Sequence, residues 1–162
     1  MGFRKYMNEA KPVKVSLSFF AADIAALTDR VSDVRKAGVK VQRATVLRAL
    51  VHLTPVDEMV ALTVRLAGDY ALGNVTPADG PVCDHPTVDF PKHDVEKLDG
   101  VISHLAKARI IGTRTFVVRA ILRAAPDGRT LAPDVKKFLA DFPNKPRGLS
   151  KIRLARRARK HD

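Results

Sequence analysis

A chain of 162 residues that is 46% hydrophobic can fill one compact core or two very small ones. Its one cysteine, Cys83, allows no internal disulfide and fits a reducing cytoplasm, and no apolar run is long enough to span a bilayer. The net charge of +12 points to a polyanion, nucleic acid first and an anionic membrane second.

The opening MGFRKYMNEAK has no signal-peptide core and lacks the Ser/Thr that a myristoylation motif needs at its sixth position. It reads as a basic N-terminal arm over 1–12, with Arg4, Lys5 and Lys11. KVSLSFF, residues 14–20, alternates Lys14, Ser16 and Ser18 with Val15, Leu17 and Phe19, which predicts a half-buried strand. Ile24, Leu27, Val31 and Val34 then recur at helical spacing and predict helix A over Ala21–Lys36. Gly38 is placed to end it in a left-handed cap. Helix B follows over Arg43–Leu53, and Thr54-Pro55 stops it. Thr54 as N-cap, with Pro55 at the first helical position, predicts a further helix to about Leu72. A loop, GNVTPADGPVCD, leads to a second strand, HPTVDF, over 85–90, where Pro86 removes a ladder donor and confines the strand to a short or edge position. Val95, Leu98, Ile102 and Leu105 repeat the helix A stripe, and Thr113 is a good N-cap for another helix B that AAPDG ends. APDVKKFLADF predicts a short helix over about 133–142. Residues 143–162 then carry eight cations against Asp162 alone.

Sliding the chain by 71 residues lays 13–55 over 84–126 without a gap. Eleven positions are identical, among them Phe19/Phe90, Asp23/Asp94, Arg43/Arg114 and Arg48/Arg119. Chance at ~7% per position would give about three. Each repeat reads strand–helix–helix, so the partner expected for the first strand is the second. Four helices behind that ribbon would bury Val15, Leu17, Phe19, Val88 and Phe90. The charge is uneven too: residues 54–100 hold nine acids and three bases, net −6, leaving +18 elsewhere. An acidic middle suggests one face or segment turned away from the polyanion.

The strand–helix–helix order, with an outward K-x-S-x-S in the first strand and an x-R-x-x-V-x-R-A opening of helix B in both repeats, resembles the ribbon–helix–helix DNA-binding superfamily, the MetJ/Arc type. The resemblance covers both repeats, about half of the chain. It implies a mainly α fold with a two-stranded antiparallel ribbon, here a single-chain pseudo-dimer. It is similar in that form to relaxosome accessory proteins of conjugative plasmids and to the overdrive-binding protein of T-DNA transfer. The division expected is repeats at 13–55 and 84–126, a helical linker at 56–83, a short helix at 127–142 and a basic tail at 143–162.

The resemblance also implies a ribbon lying in the major groove, with Lys14, Ser16, Ser18, His85, Thr87 and Asp89 at base edges. Lysine donates to guanine O6 or N7, hydroxyls donate or accept, and aspartate only accepts, as cytosine N4 requires. The helix B starts, with Gln42, Arg43, Thr113 and Arg114, would hold phosphates, since free N–H groups and the dipole attract anions there. Lys151, Arg153, Arg156 and Arg157 of the tail would add phosphate contacts. Arg48 and Arg119, deeper in helix B, are expected to pair with acids inside the protein. The alternative for the ribbon residues, Arg43 and Arg114 is ordinary surface solvation, and for the tail a solubilising role.

The partner expected is double-stranded DNA, bound by a regulator or DNA-transfer factor in a bacterial cytoplasm, on the nucleoid or a plasmid. A second copy on adjacent DNA, and a relaxase or partition protein, are further partners in that scheme, and no membrane is. A DNA-bending scaffold, or an RNA or ribosome binder acting through the tail, is the competing class. No cofactor or metal is expected. Cys83, Asp84, His85 and His93 cluster, but no second Cys/His pair follows at zinc spacing. No phosphate loop, HExxH or nucleophile elbow is present, and a Cys83–His dyad would lack an orienting group, so an enzyme is not expected.

Overall fold

The computed structural model describes residues 12–71 and 82–142. The N-terminal arm, the loop centre and the basic tail, with Lys151, Arg153, Arg156 and Arg157, lie outside them. Two short strands, β1 (Val13–Ser16) and β2 (Phe19–Phe20), precede α1 (Ala21–Lys36), α2 (Arg43–Leu53) and α3 (Val56–Ala71). The strands β3 (Val82–Asp84) and β4 (Thr87–Phe90) then precede α4 (Lys92–Lys107), α5 (Arg114–Ala124) and α6 (Gly128–Asp141). The described protein is therefore mainly helical, with a small antiparallel ribbon.

The strand near the start does pair with the one 71 residues on. β1 runs antiparallel to β4 in the register Val13↔Phe90, Lys14↔Asp89, Val15↔Val88 and Ser16↔Thr87. The Leu17 N–H donates to the Pro86 carbonyl at 2.9 Å, and β2 pairs with β3 beyond it, with an irregularity between Phe19 and Phe20. The second strand is thus longer than its 85–90 motif and broken at His85-Pro86. Proline has no N–H to give the ladder, but its carbonyl still accepts. Alternation fixes the faces: Val15, Leu17, Phe19, Val88 and Phe90 are all buried.

Those residues cap one continuous core drawn from every helix of the two repeats, including Leu27 and Val34 of α1, Leu47 of α2, and Leu98 and Leu122 of α4 and α5. On α4 the fully buried apolar positions are Leu98, Val101 and Leu105, and Ile102 is only partly covered. Both first helices end in the same six-residue cap. Val39 N–H donates to Val34 O (3.2 Å), and Ile110 N–H to Leu105 O (2.9 Å). The left-handed residue is Gly38 (φ 89°) in the first and Arg109 (φ 61°) in the second.

The helices after each repeat cross over. α3 packs on α4 and α5, and α6 packs on α1 and α2. The buried residues Met59, Thr63 and Leu66 of α3 match Leu131, Val135 and Phe138 of α6 at an offset of 72. The structural unit therefore extends one helix past the 71-residue repeat. Two starts differ from expectation. Thr54 does not cap α3; its hydroxyl donates back to Leu50 O at 2.6 Å, closing α2. α6 begins at Gly128, five residues before Pro133, because Asp127 caps it by accepting from Thr130 N–H at 2.9 Å. Gly128 lies against α1 so closely that a Cβ there would sit 2.3 Å from Asp33 Cβ.

Buried charge ties the two halves together. Asp23 accepts from its own helix start, Phe20 N–H, at 2.9 Å, and from Arg119 (2.7 Å) and Arg123 (2.9 Å) of α5. Arg119 also donates to Tyr70 Oη and lies over the Phe20 ring, 4.4 Å from its centroid. At the equivalent place Asp94 is buried with His52 Nδ1 at 3.4 Å. Pro91 replaces Phe20 there and offers no N–H to cap. Lys97 donates to the carbonyls of Val51 and His52 at the end of α2, and burial lowers its pKa. Arg30 donates to Ala125 O at the end of α5.

Candidate nucleic-acid interface

The ribbon register brings the six outward residues together as three cross-strand pairs. Lys14 stands opposite Asp89, Ser16 opposite Thr87. Ser18 reaches His85, with Oγ and Nδ1 3.1 Å apart. Ser16 and Thr87 are equivalents under the 71-residue offset, so the other two pairs lie symmetrically to either side of them. Ser18 is half-buried and the other five are exposed. Together they make a polar face one ribbon wide over an apolar layer. The two sides of that face are not alike. One pairs a cation with an acid, and the other is a hydrogen-bonded hydroxyl and imidazole.

Each helix B start adjoins the ribbon. Thr115, in the first turn of α5, accepts from Ser18 N–H at 3.2 Å. Arg43, the first residue of α2, lies 3.9 Å from the Asp84 carboxylate of β3, and its guanidinium donates to Thr28 Oγ1 at 3.2 Å. Gln42 is the N-cap residue of α2, and Thr113 caps α5 by accepting from Phe116 N–H at 3.1 Å. Arg114 is differently placed from its repeat equivalent. It makes two hydrogen bonds to Asp99, at 2.8 and 2.9 Å. These hold the Asp99 carboxyl below the usual carboxylate range and raise the Arg114 guanidinium. Asp99 is the equivalent of Thr28, so one substitution decides whether the helix-start arginine meets a hydroxyl or a carboxylate.

Arg119 is paired with an acid inside the protein, as its depth in helix B suggested, and Arg48 is also engaged. Four acids of the acidic middle are not on a face of their own. Asp84 and Asp89 belong to the ribbon, Asp94 is buried, and Asp99 serves Arg114. The sequence carries no local sign that Thr115 and Asp99 adjoin the ribbon and the helix-start arginine, because their partners lie 97 and 15 residues away. Only the offset alignment, which sets Asp99 against Thr28, holds a hint.

Among the described residues no three metal-ligating side chains come together, and no helix is long and apolar enough to cross a membrane. No protein-family model, curated protein or solved structure matches the chain.

Proposed function

We propose that this protein binds double-stranded DNA sequence-specifically as a tandem ribbon–helix–helix protein, one chain supplying both strands of the reading ribbon. The observation that carries the reading is the register, which sets Lys14/Asp89, Ser16/Thr87 and Ser18/His85 on one surface above a shared core. The major groove admits a two-stranded ribbon, and side chains at every second residue meet successive base edges. The net charge of +12 supplies the attraction to phosphate. In this reading Arg43 and the backbone at the starts of α2 and α5 position the duplex, and the three pairs read it.

The unequal pairs favour a site without two-fold symmetry, since symmetric half-sites mirror a symmetric reader. That suits a specialised target, such as a transfer origin, better than a palindromic operator. A relaxase or partition protein, or a second copy on adjacent DNA, completes the proposed assembly.

Salt titrations on the selected target and on random duplex test the reading. Lys14→Ala is expected to lower affinity for the target by about 1–3 kcal/mol while leaving random duplex nearly unchanged. Removing residues 143–162 is expected to weaken both duplexes alike and to flatten the salt slope by ~0.9 for each phosphate no longer neutralised. Equal losses on both duplexes for Lys14→Ala would remove its base-reading role.

A further inference from the structure

A cavity of about 450 Å³ opens between the end of α1 and the start of α2, lined by Thr28, Val31, Ser32, Arg35, Lys36 and Arg43. Its polar lining is three cations and two hydroxyls, with no carboxylate. Arg35 is held in place by its Nε–H, which donates to Val41 O at 2.8 Å, so its terminal nitrogens are pre-positioned. Arg43 spans from Thr28 on the wall of the cavity toward Asp84 in the ribbon. The Lys36 side chain is 77% exposed, and its ammonium lies 4.0 Å from the Asp33 carboxylate.

The equivalent surface of the second repeat consists of Asp99, Ile102, Ser103, Ala106, Lys107 and Arg114. There an aspartate replaces Thr28 and binds Arg114 through both oxygens, and an alanine replaces Arg35. Two of the three cationic positions are therefore missing or neutralised. Two positions, Thr28/Asp99 and Arg35/Ala106, favour an anion in the first repeat, and one neighbour runs the other way, since Asp33 beside Lys36 is His104 beside Lys107.

We propose that the α1–α2 cavity of the first repeat is an oxyanion site for phosphate, built on one side of the molecule only. Arginine forks and serine or threonine hydroxyls suit phosphate oxygens, and a cavity this size takes a phosphate or diphosphate with room for what it is attached to. The phosphate can belong to a DNA backbone running past the ribbon, or to a small phosphorylated molecule. The DNA source rests on the proposed function; the small-molecule source does not.

The test uses the full chain, target duplex across a salt series, and inorganic pyrophosphate by calorimetry. Thr28→Asp and Arg35→Ala rebuild the second repeat's residues in the first. Lys36→Glu reverses one charge on a solvent-exposed side chain and so spares the fold, as thermal unfolding will verify. Lys107→Glu on the second repeat is the charge-matched control. If backbone phosphate is the ligand, the three first-repeat variants weaken the duplex and lower its salt slope by ~0.9 for each phosphate released, and Lys107→Glu does so far less. If a small molecule is the ligand, pyrophosphate binds saturably, the same three variants abolish that binding, and the duplex is unaffected by them. The site is overturned if neither ligand responds to these variants, or if Lys107→Glu does as much as Lys36→Glu. Sequence-specific duplex binding that ignores all three variants, with no saturable pyrophosphate binding, leaves the proposed function standing without the site. Pyrophosphate binding with no duplex binding does the reverse.

Discussion

Asp23 shows most directly how a single residue is read twice. At the level of sequence it is an acid in the first turn of a helix, repeated at Asp94. In the structure it is a fully buried carboxylate that accepts from one N–H and two arginines. Removing one partner of a buried pair leaves the others as uncompensated charge. Asp23→Ala is therefore expected to cost about 3–5 kcal/mol in denaturant unfolding. A loss under 1 kcal/mol, roughly a surface pair's worth, would mean that water reaches Arg119 and Arg123 there. Asp99 is the contrasting case. Its pair with Arg114 is more than one-third exposed on both sides, so it stabilises by no more than ~1 kcal/mol. Its folded pKa is depressed, so that contribution is present above the unfolded value near 3.9 and is lost as pH falls through the folded one. Asp99→Asn is expected to be slightly less stable than the parent at neutral pH and equal to it in strong acid. The same variant frees Arg114, and in the proposed function it steepens the duplex salt slope by about 0.9. An unchanged slope would take Arg114 out of the phosphate contacts.

Among elements, α1, α2 and α5 are fully legible because their signals are local. An apolar stripe, a cap and a breaker each act within one or two turns. The strands are legible as elements but not in extent. Their pairing partners come from the other repeat, and Pro86 interrupts one of them. The helix α6 is legible but its start is hidden by Pro133, which reads as the beginning although Asp127 caps the helix earlier. The turn between the first two helices of each half shows the value of comparing equivalents. Gly38 fits its left-handed position at no steric cost, whereas Arg109 carries a Cβ in the same conformation. Arg109→Gly is expected to stabilise the fold by about 1 kcal/mol, read as a rise in the denaturant midpoint at constant slope. A fall instead would show that the Arg109 side chain contributes more than its backbone costs.

At the scale of the molecule, the ribbon closes within one chain, the third helices pack on the opposite half, and two buried acids sit at equivalent places at the α1 and α4 helix starts. Each half therefore leaves core surface that only the other can cover. Sedimentation in the absence of DNA is expected to give one chain per particle, with a thermal midpoint independent of protein concentration. A folded species found only as a dimer, with a midpoint rising with concentration, would place the strand pairing between chains. The symmetry of the scaffold is not matched by its surface. On the ribbon's polar face Lys14/Asp89 lies to one side of the central pair and Ser18/His85 to the other, and the helix-start arginines have unlike neighbours.

The sequence by itself determined the period of each helix, the alternation of the first strand, the left-handed cap at Gly38 and the 71-residue repeat. All of these depend on residues close together or on direct comparison of two segments. Tertiary structure alone decided the ribbon register, the exchange of α3 and α6, and the partner of each arginine. Those depend on contacts between residues as much as 100 positions apart, such as Arg123 with Asp23. Propensity does not act over such distances; only closure of a shared core brings the groups within reach, and burial then demands that each charge find an opposite.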